Sequence, residues 1–203
     1  MVIAQARKIL NSTIGVLDIT RHQRKLQRQG TTWPKYQTPL WRYAPVLLDN
    51  FETYLENKIK HAKEKGEKLG IFDLGAGDLQ QWTKFIQKHH SHINFYATTL
   101  DAPSEDFKKL IQKHPTTITI LKKRADQIPP QLPHEIHIAV THQGAHYQEQ
   151  LAIDKLYQLI HQNGEVIAHG EGRTPKYKHL NAELLADHTS LRPKDWALHL
   201  RKT

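Results

Sequence analysis

A six-residue segment that combines acidic residues with closely spaced glycines carries the clearest chemical signal in the sequence. It ends a short apolar run and consists of Asp73, Leu74, Gly75, Ala76, Gly77 and Asp78. Because glycine has no side chain, it permits positive φ angles and lets a ligand approach the backbone closely. A helix that begins directly after such a turn also offers unpaired backbone N–H groups. The segment therefore indicates a ligand-binding turn between a buried strand and a helix.

The sequence on both sides of this turn alternates between predicted strands and predicted helices. Short apolar or β-branched runs predict strands over residues 69–74, 93–100, 116–121, 136–141, 165–169 and 196–201. Apolar residues at intervals of three and four predict helices over residues 46–65, 79–88, 103–114, 148–162 and 180–186. Such alternation is typical of parallel strands joined by crossover helices. We therefore expect an α/β fold: a doubly wound, mainly parallel, Rossmann-like sheet with helices on both faces.

The positive charge of the chain is concentrated before this alternating region. Residues 1–45 hold eight Lys/Arg and one Asp, a net charge of +7 out of the formal total of +9. We expect residues 1–45 to form a basic, helical extension and residues 46–203 to form the α/β domain. The extension either binds nucleic acid or another anionic partner through its Lys and Arg side chains, or serves as a solvated structural segment.

The end of the extension is rich in both proline and aromatic residues. Within residues 31–45 the aromatic side chains are those of Trp33, Tyr36, Trp41 and Tyr43. Proline at this density prevents a long helix, so the segment is predicted to be a connector. It either covers the ligand site as a lid or packs the extension onto the domain.

The composition excludes several classes of protein. The sequence contains no cysteine, which excludes disulfides, thiolate metal sites and cysteine nucleophiles. No apolar stretch approaches the roughly 20 residues that a membrane-spanning helix needs, so no membrane partner is expected. The simplest interpretation is a cytoplasmic protein.

Over residues 70–170 the sequence resembles the class I S-adenosylmethionine (SAM)-dependent methyltransferases. The segment from Asp73 to Gly77, with Gly75 and Ala76 inside it, resembles the first motif of that family. This resemblance implies that its glycine backbone holds the amino-acid part of SAM. It also implies that the acid after the second strand, Asp101, receives both ribose hydroxyl groups, with Ala102 beside it. A carboxylate suits that role because it accepts two charge-assisted hydrogen bonds.

One further segment and one residue at a strand end are assigned to the cofactor. Residues 124–129 resemble the stretch that flanks adenine in the family, and they place Arg124, Ala125 and Asp126 in the site. The family commonly has an acidic residue before the alanine, where this chain has Arg124. Arginine has no acceptor, so the adenine amino group needs another partner here, unless Asp126 takes that part from a shifted register. Thr141, at the end of the fourth strand, completes the proposed cofactor-binding set.

The resemblance implies transfer of a methyl group from SAM to an oxygen or nitrogen atom. The acceptor is a small molecule, a protein or an RNA. Candidate catalytic residues follow the fourth strand, where open α/β sheets place their ligands: His142, His146 and Tyr147. Either histidine is able to act as a general base near neutral pH. The alternative is that they are polar loop residues in a chain with 15 histidines.

Departures from the family pattern leave other interpretations open. After the fifth strand about 30 residues remain, so we expect an abbreviated C-terminal strand region. Together with Arg124 and with Leu79, which stands where a dinucleotide site has a third glycine, this is compatible with an inactive binding or scaffold protein. A nucleic-acid-binding protein that acts through its basic N-terminus is a third reading. No metal site is expected, because the histidine pairs lie on different loops or on alternate strand faces.

Overall fold

The computed structural model describes residues 50–123, 127–129, 131–142, 149–171, 174–188 and 195–203. The predicted extension over residues 1–45 lies outside these ranges, and its division from the domain remains a prediction. The helices are α1 (Phe51–Glu64), α2 (Thr83–His89), α3 (Glu105–Lys113) and α4 (Glu149–Leu159). The strands are β1 (Leu69–Leu74), β2 (Ile93–Thr98), β3 (Ile118–Leu121), β4 (Ile136–His142), β5 (Ile160–Glu171), β6 (Ala182–His188) and β7 (Asp195–Lys202).

These strands form one seven-stranded sheet in the order β3-β2-β1-β4-β5-β7-β6. β1 pairs in parallel with both β2 and β4, and β2–β3 and β4–β5 are also parallel. β7 runs antiparallel to β5 and to β6. The order reverses between β1 and β4, so the carboxyl ends of β1, β2 and β4 meet where open α/β sheets bind ligands. The expected doubly wound, mainly parallel sheet is confirmed.

Helices cover both faces of the sheet, as alternation of side chains along β1 requires. Ile71 packs in a cluster with Phe51 and Leu55 of α1 and with side chains of α2 and α3. Phe72, the next residue, packs on the opposite face with Ile153 and with other side chains of α4. Successive residues of a strand point to opposite faces, and the two clusters follow from that period of two.

The C-terminal region corrects one prediction. Residues 180–186 were expected to be helical, but β6 runs from Ala182 to His188 and pairs with β7. Both final strands are therefore formed. The expected abbreviation falls on the connection between β5 and β6. Pairing with β7 outweighs the helix-like spacing of Leu180 and Leu184, because an antiparallel neighbour satisfies the backbone groups of the strand.

A buried carboxylate joins α1 to the sheet on the face away from α4. Glu165 of β5 is 2% exposed. It accepts hydrogen bonds from Lys58 at 2.7 Å and from the hydroxyl of Tyr54, both on α1. On β7, His199 Nε2 lies 2.6 Å from this carboxylate and Arg201 Nη2 lies 3.2 Å away. Burial alone raises the pKa of Glu165, but the hydrogen bonds from His199, Lys58 and Tyr54 outweigh it and hold the pKa well below its usual range.

Candidate functional site

Two N–H groups of the glycine turn after β1 donate hydrogen bonds to Thr98, at the end of β2. Gly75 and Gly77 both adopt positive φ angles, of 78° and 58°. The N–H of Gly75 donates to the hydroxyl oxygen of Thr98 at 2.9 Å. The N–H of Ala76 donates to the carbonyl of Thr98 at 2.9 Å. The turn therefore has a fixed shape before any ligand is bound.

The loops that follow β1 and β2 share a second hydroxyl group. The hydroxyl of Thr99 donates to the carbonyl of Gly77 at 2.5 Å and accepts the N–H of Asp101 at 3.0 Å. A further bond connects the same two loops, from the N–H of Ser104 to the carbonyl of Asp78 at 2.9 Å. Asp101 is thereby held next to the glycine turn.

Open space and free polar groups meet at this point. A Cβ atom built on Gly77 has no heavy atom within 4 Å, so the turn faces open space there. Within the described residues, the carboxylate of Asp101 accepts no hydrogen bond and forms no ion pair, although its residue is partly buried. In the same part of the chain the N–H groups of Gly77 and Asp78 have no acceptor. The site thus presents a carboxylate and two amide donors to a ligand.

Two acidic side chains give the site a negative charge. Burial raises the pKa of Asp101, and the neighbouring charge of Asp78 raises it further. Asp78 also accepts the N–H of Gln80 at 3.1 Å, at the start of the short 3-10 helix Gln80–Trp82. Two like charges this close favour a ligand that carries positive charge or donates hydrogen bonds.

Asp73, predicted to contact the cofactor, is fully buried below the turn. Its exposure is 0%, and its carboxylate accepts the indole N–H of Trp82 at 2.6 Å. Leu79 is also fully buried, and it adopts the left-handed conformation at φ 65°. A non-glycine residue in that region is strained by about 1–2 kcal/mol. Burial of the leucine side chain offsets this strain and anchors the end of the turn in the core.

The remaining predicted site residues take different positions. Thr141 is buried, and its hydroxyl donates to the carbonyl of Leu74 at 3.0 Å, so it braces the end of β1. Ala76 is buried as well, whereas Ala102 is exposed beside Asp101. The structure thus brings Asp73, Gly75, Ala76, Gly77, Asp101, Ala102 and Thr141 to one edge of the sheet.

Five of the predicted site residues lie outside the described ranges. Arg124, Ala125 and Asp126 lie outside the described residues, as do His146 and Tyr147. The backbone of His142 ends β4 in register with His169 of β5, at the same carboxyl edge. Their assignments to adenine and to catalysis remain predictions.

Sequence reasoning missed three residues that shape the site: Thr98, Thr99 and Trp82. The two threonines end the strand next to β1, and Leu74 is in register with Thr98. The sequence does show two hydroxyl residues at the end of β2, which is the strand parallel to β1. Only the register of the two strands shows that these hydroxyl groups reach the glycine turn. The spacing of Trp82 predicts a core residue on a helix, but it does not reveal the hydrogen bond from the indole N–H to Asp73.

The described residues contain neither a metal-binding cluster nor a membrane-spanning helix. No group of three or more His, Asp or Glu side chains there is arranged to hold a metal ion. In the same ranges, no helix has the length and apolar character that crossing a bilayer requires.

Comparison with known proteins identifies the fold. No protein-family model matches the chain, and no curated protein matches its sequence. Among solved structures it is similar to the Burkholderia thailandensis 1,6-didemethyltoxoflavin-N1-methyltransferase, crystallised with S-adenosylhomocysteine. The TM-score is 0.53 at 12% identity, over 98% of this chain and 90% of the other. A Haemophilus influenzae protein assigned as a methylase gives 0.53 at 16% identity, over 77% of this chain and 90% of the other. The chain therefore has the fold of the class I SAM-dependent methyltransferases.

Proposed function

We propose that the chain binds SAM at the glycine turn and transfers its methyl group to an oxygen or nitrogen atom of an acceptor. One observation carries this proposal: a partly buried carboxylate with no partner in the described part of the chain is held against an open glycine turn by the hydroxyl of Thr99. The fold supports it, since the B. thailandensis methyltransferase was crystallised with S-adenosylhomocysteine.

The residues at the turn fit this cofactor in both shape and donor type. The carboxylate of Asp101 suits the two ribose hydroxyl groups, because it accepts two hydrogen bonds at once. The free N–H groups of Gly77 and Asp78 suit the carboxylate of the amino-acid part. The negative charges of Asp78 and Asp101 suit a ligand with a cationic sulfur and ammonium group. SAM supplies a methyl group on a positively charged sulfur, which is a good leaving group.

The protein's own contribution is mainly positioning. Thr98 and Thr99 fix the turn and Asp101, so binding does not have to order them, and a preorganised site loses less entropy. A proton on the acceptor needs a base, for which we propose His142 or His146, with Tyr147 as a further candidate. Arg124, Ala125 and Asp126 are proposed to flank the adenine. The acceptor is a small molecule, a protein or an RNA.

Two proposals concern the rest of the protein. The basic extension over residues 1–45 is proposed to bind an anionic partner or the acceptor itself, which its net charge of +7 supports. A cytoplasmic location is proposed because the sequence contains no cysteine to form disulfides.

Calorimetric titration of the full chain with SAM and with S-adenosylhomocysteine tests the function. We expect saturable binding of both with one site per chain. Absence of binding by either ligand at millimolar concentration would show that the fold persists without its cofactor, which is the scaffold alternative. Titration with NAD serves as the control, since Leu79 replaces the third glycine that a dinucleotide needs.

A further inference from the structure

The edge of the sheet opposite the glycine turn has a distinct chemical character. At this amino edge the chain enters β1 through residues 65–68, β2 through residues 90–92 and β3 through residues 114–117. Helices α1, α2 and α3 end there as well, because each is followed by a parallel strand that starts at this edge. Groups on these three entries and helix ends therefore lie side by side.

Basic and histidine side chains are concentrated at this edge. We call the following set the histidine–lysine cluster: Lys63, Lys68, His90, His92, Lys113 and His114. The rings of His90 and His114 stack with centroids 3.9 Å apart. The hydroxyl of Thr117 donates to the carbonyl of His90 at 3.4 Å, which joins the entries of β2 and β3. Lys63, Lys68 and Lys113 are exposed, and the three histidines are partly exposed.

Within the described residues no carboxylate neutralises this cluster. None of its six members forms an ion pair there, whereas the adjacent Lys88 and His89 both contact Glu56, at 2.5 and 3.3 Å. Glu64 is the last residue of α1, and Glu67 lies on the connection from α1 to β1. Burial lowers the pKa of His137 and of His161 at the entries of β4 and β5, and the charges of Glu135 and Glu67 there partly offset that lowering. The three lysines of the cluster thus form no ion pair with a carboxylate in the described part of the chain.

Favourable interaction with helix dipoles explains the positions of only some of these basic residues. Lys63 and Lys113 lie in the last turns of α1 and α3, where a cation interacts favourably with the helix dipole by roughly 0.3–1 kcal/mol. Lys68 and His92 lie beyond the helix ends, on the entries of β1 and β2. Two stacked histidines also repel one another when both are protonated. These features have no evident benefit for the stability of the fold.

We propose that the histidine–lysine cluster binds the phosphate backbone of a nucleic acid, and that this binding strengthens as the pH falls. Lys side chains neutralise phosphates and release counterions, and histidine rings stack on exposed bases. A membrane surface fits less well. Within the described ranges the exposed large apolar side chains are Leu100 and Leu184, and neither lies at the amino edge. The proposal does not depend on SAM binding, since the glycine turn lies at the other edge of the sheet.

The sign of the pH dependence follows from the neighbours of the histidines. Burial lowers the pKa of His92, as do the positive charges of Lys63, Lys68, His89 and His90. Burial also lowers the pKa of His114, followed by His90 and Lys113. Bound phosphates supply negative charge and favour the protonated rings. Binding therefore takes up protons, and affinity increases as the pH decreases.

Fluorescence anisotropy of a labelled 20-nucleotide oligouridylate with the full chain tests the proposal. The variant Lys63→Gln/Lys113→Gln removes two charges from the cluster. The matched control, Lys108→Gln/Lys109→Gln, removes two charges from the exposed flank of α3, where each lysine pairs with an acid. We expect affinity to fall about fivefold or more at low salt in the first variant, with a shallower salt dependence, and less than about twofold in the control. Equal losses in both would overturn the proposal, because the basic extension is unchanged in both.

A second pair of variants tests the histidines. We expect wild-type affinity to rise about tenfold from pH 7.5 to pH 5.5, and His92→Gln/His114→Gln to reduce that rise to about threefold or less. His179→Gln, which alters a histidine paired with Asp154 of α4, should leave the rise unchanged. Melting curves check that every variant is folded. An unchanged pH dependence in the double variant would refute the linkage. Cluster-dependent binding to phosphatidylserine vesicles without any to RNA would replace the proposed partner by a membrane.

Discussion

The hydroxyl group of Thr99 donates to the carbonyl oxygen of Gly77 at 2.5 Å, and this contact joins the two loops that build the candidate site. The same hydroxyl accepts the N–H of Asp101, so one oxygen atom fixes both the glycine turn and the acid beside it. Thr99 is buried, and loss of its hydroxyl leaves a carbonyl and an amide without their partner.

Replacement of Thr99 by valine should therefore weaken both the fold and the site. The side chain keeps its shape but loses both hydrogen bonds, so we expect the free energy of unfolding to fall by about 1–3 kcal/mol. Affinity for S-adenosylhomocysteine should fall as well. Urea denaturation and calorimetry measure the two effects. Thr117→Val makes the same chemical change at a buried hydroxyl remote from the turn, and should leave ligand affinity intact.

Replacement of Gly77 by alanine tests the open space in front of the turn. The new methyl group enters that space and strains the backbone at φ 58°, so we expect ligand affinity to fall more than about tenfold. Gly66→Ala is a matched control, because Gly66 has φ 74° and also no heavy atom within 4 Å of a built Cβ. Both variants should lower the melting temperature to a similar extent. Similar losses of affinity in the two would contradict the assignment of the site.

Replacement of Asp101 by asparagine should separate stability from binding. The raised pKa means that the folded protein favours the protonated carboxyl group, so the ionised form destabilises it at neutral pH. We expect Asp101→Asn to raise the melting temperature at pH 7, with the gain disappearing as the pH falls through this pKa. Calorimetry should show about tenfold weaker binding of S-adenosylhomocysteine.

The Asp101→Asn variant should also change the pH profile of S-adenosylhomocysteine binding. Wild-type affinity should fall on acidification as Asp101 takes up a proton, at a higher pH than an ordinary aspartate would. The asparagine variant should lack this step. Asp106→Asn, on the exposed side of α3, provides the control and should retain the wild-type profile. An Asp101→Asn variant that binds as tightly as wild type would remove the ribose assignment.

Replacement of Glu165 by glutamine tests the buried carboxylate that joins α1 to the sheet. Its depressed pKa contributes stability above the pKa of the unfolded chain, and this contribution is lost as the pH falls through the folded value. We expect unfolding at pH 7 to become easier by about 3–5 kcal/mol, because Lys58 and His199 lose a buried charged partner. The difference should shrink at pH 4. Glu105→Gln, at an exposed ion pair, should change stability by less than about 1 kcal/mol.

The sequence predicted the order of elements well between residues 69 and 171, because each strand is apolar and each helix has regular spacing. The sequence singled out Gly75, Gly77 and Asp101 because residue type and position after a strand are local features; their binding of a cofactor stays a prediction. The prediction failed for β6, whose pairing with β7 is a long-range interaction that no local pattern reports. Thr98 and Thr99 were missed for the same reason, since their bonds depend on the register of β2 against β1.

The most direct test of the account is a crystal structure of the full chain with S-adenosylhomocysteine. We predict electron density for the nucleoside beside Gly77, with both ribose hydroxyl groups within hydrogen-bonding distance of the carboxylate of Asp101. Density for the ligand at another place, or a carboxylate of Asp101 that points away from the ribose, would contradict the account.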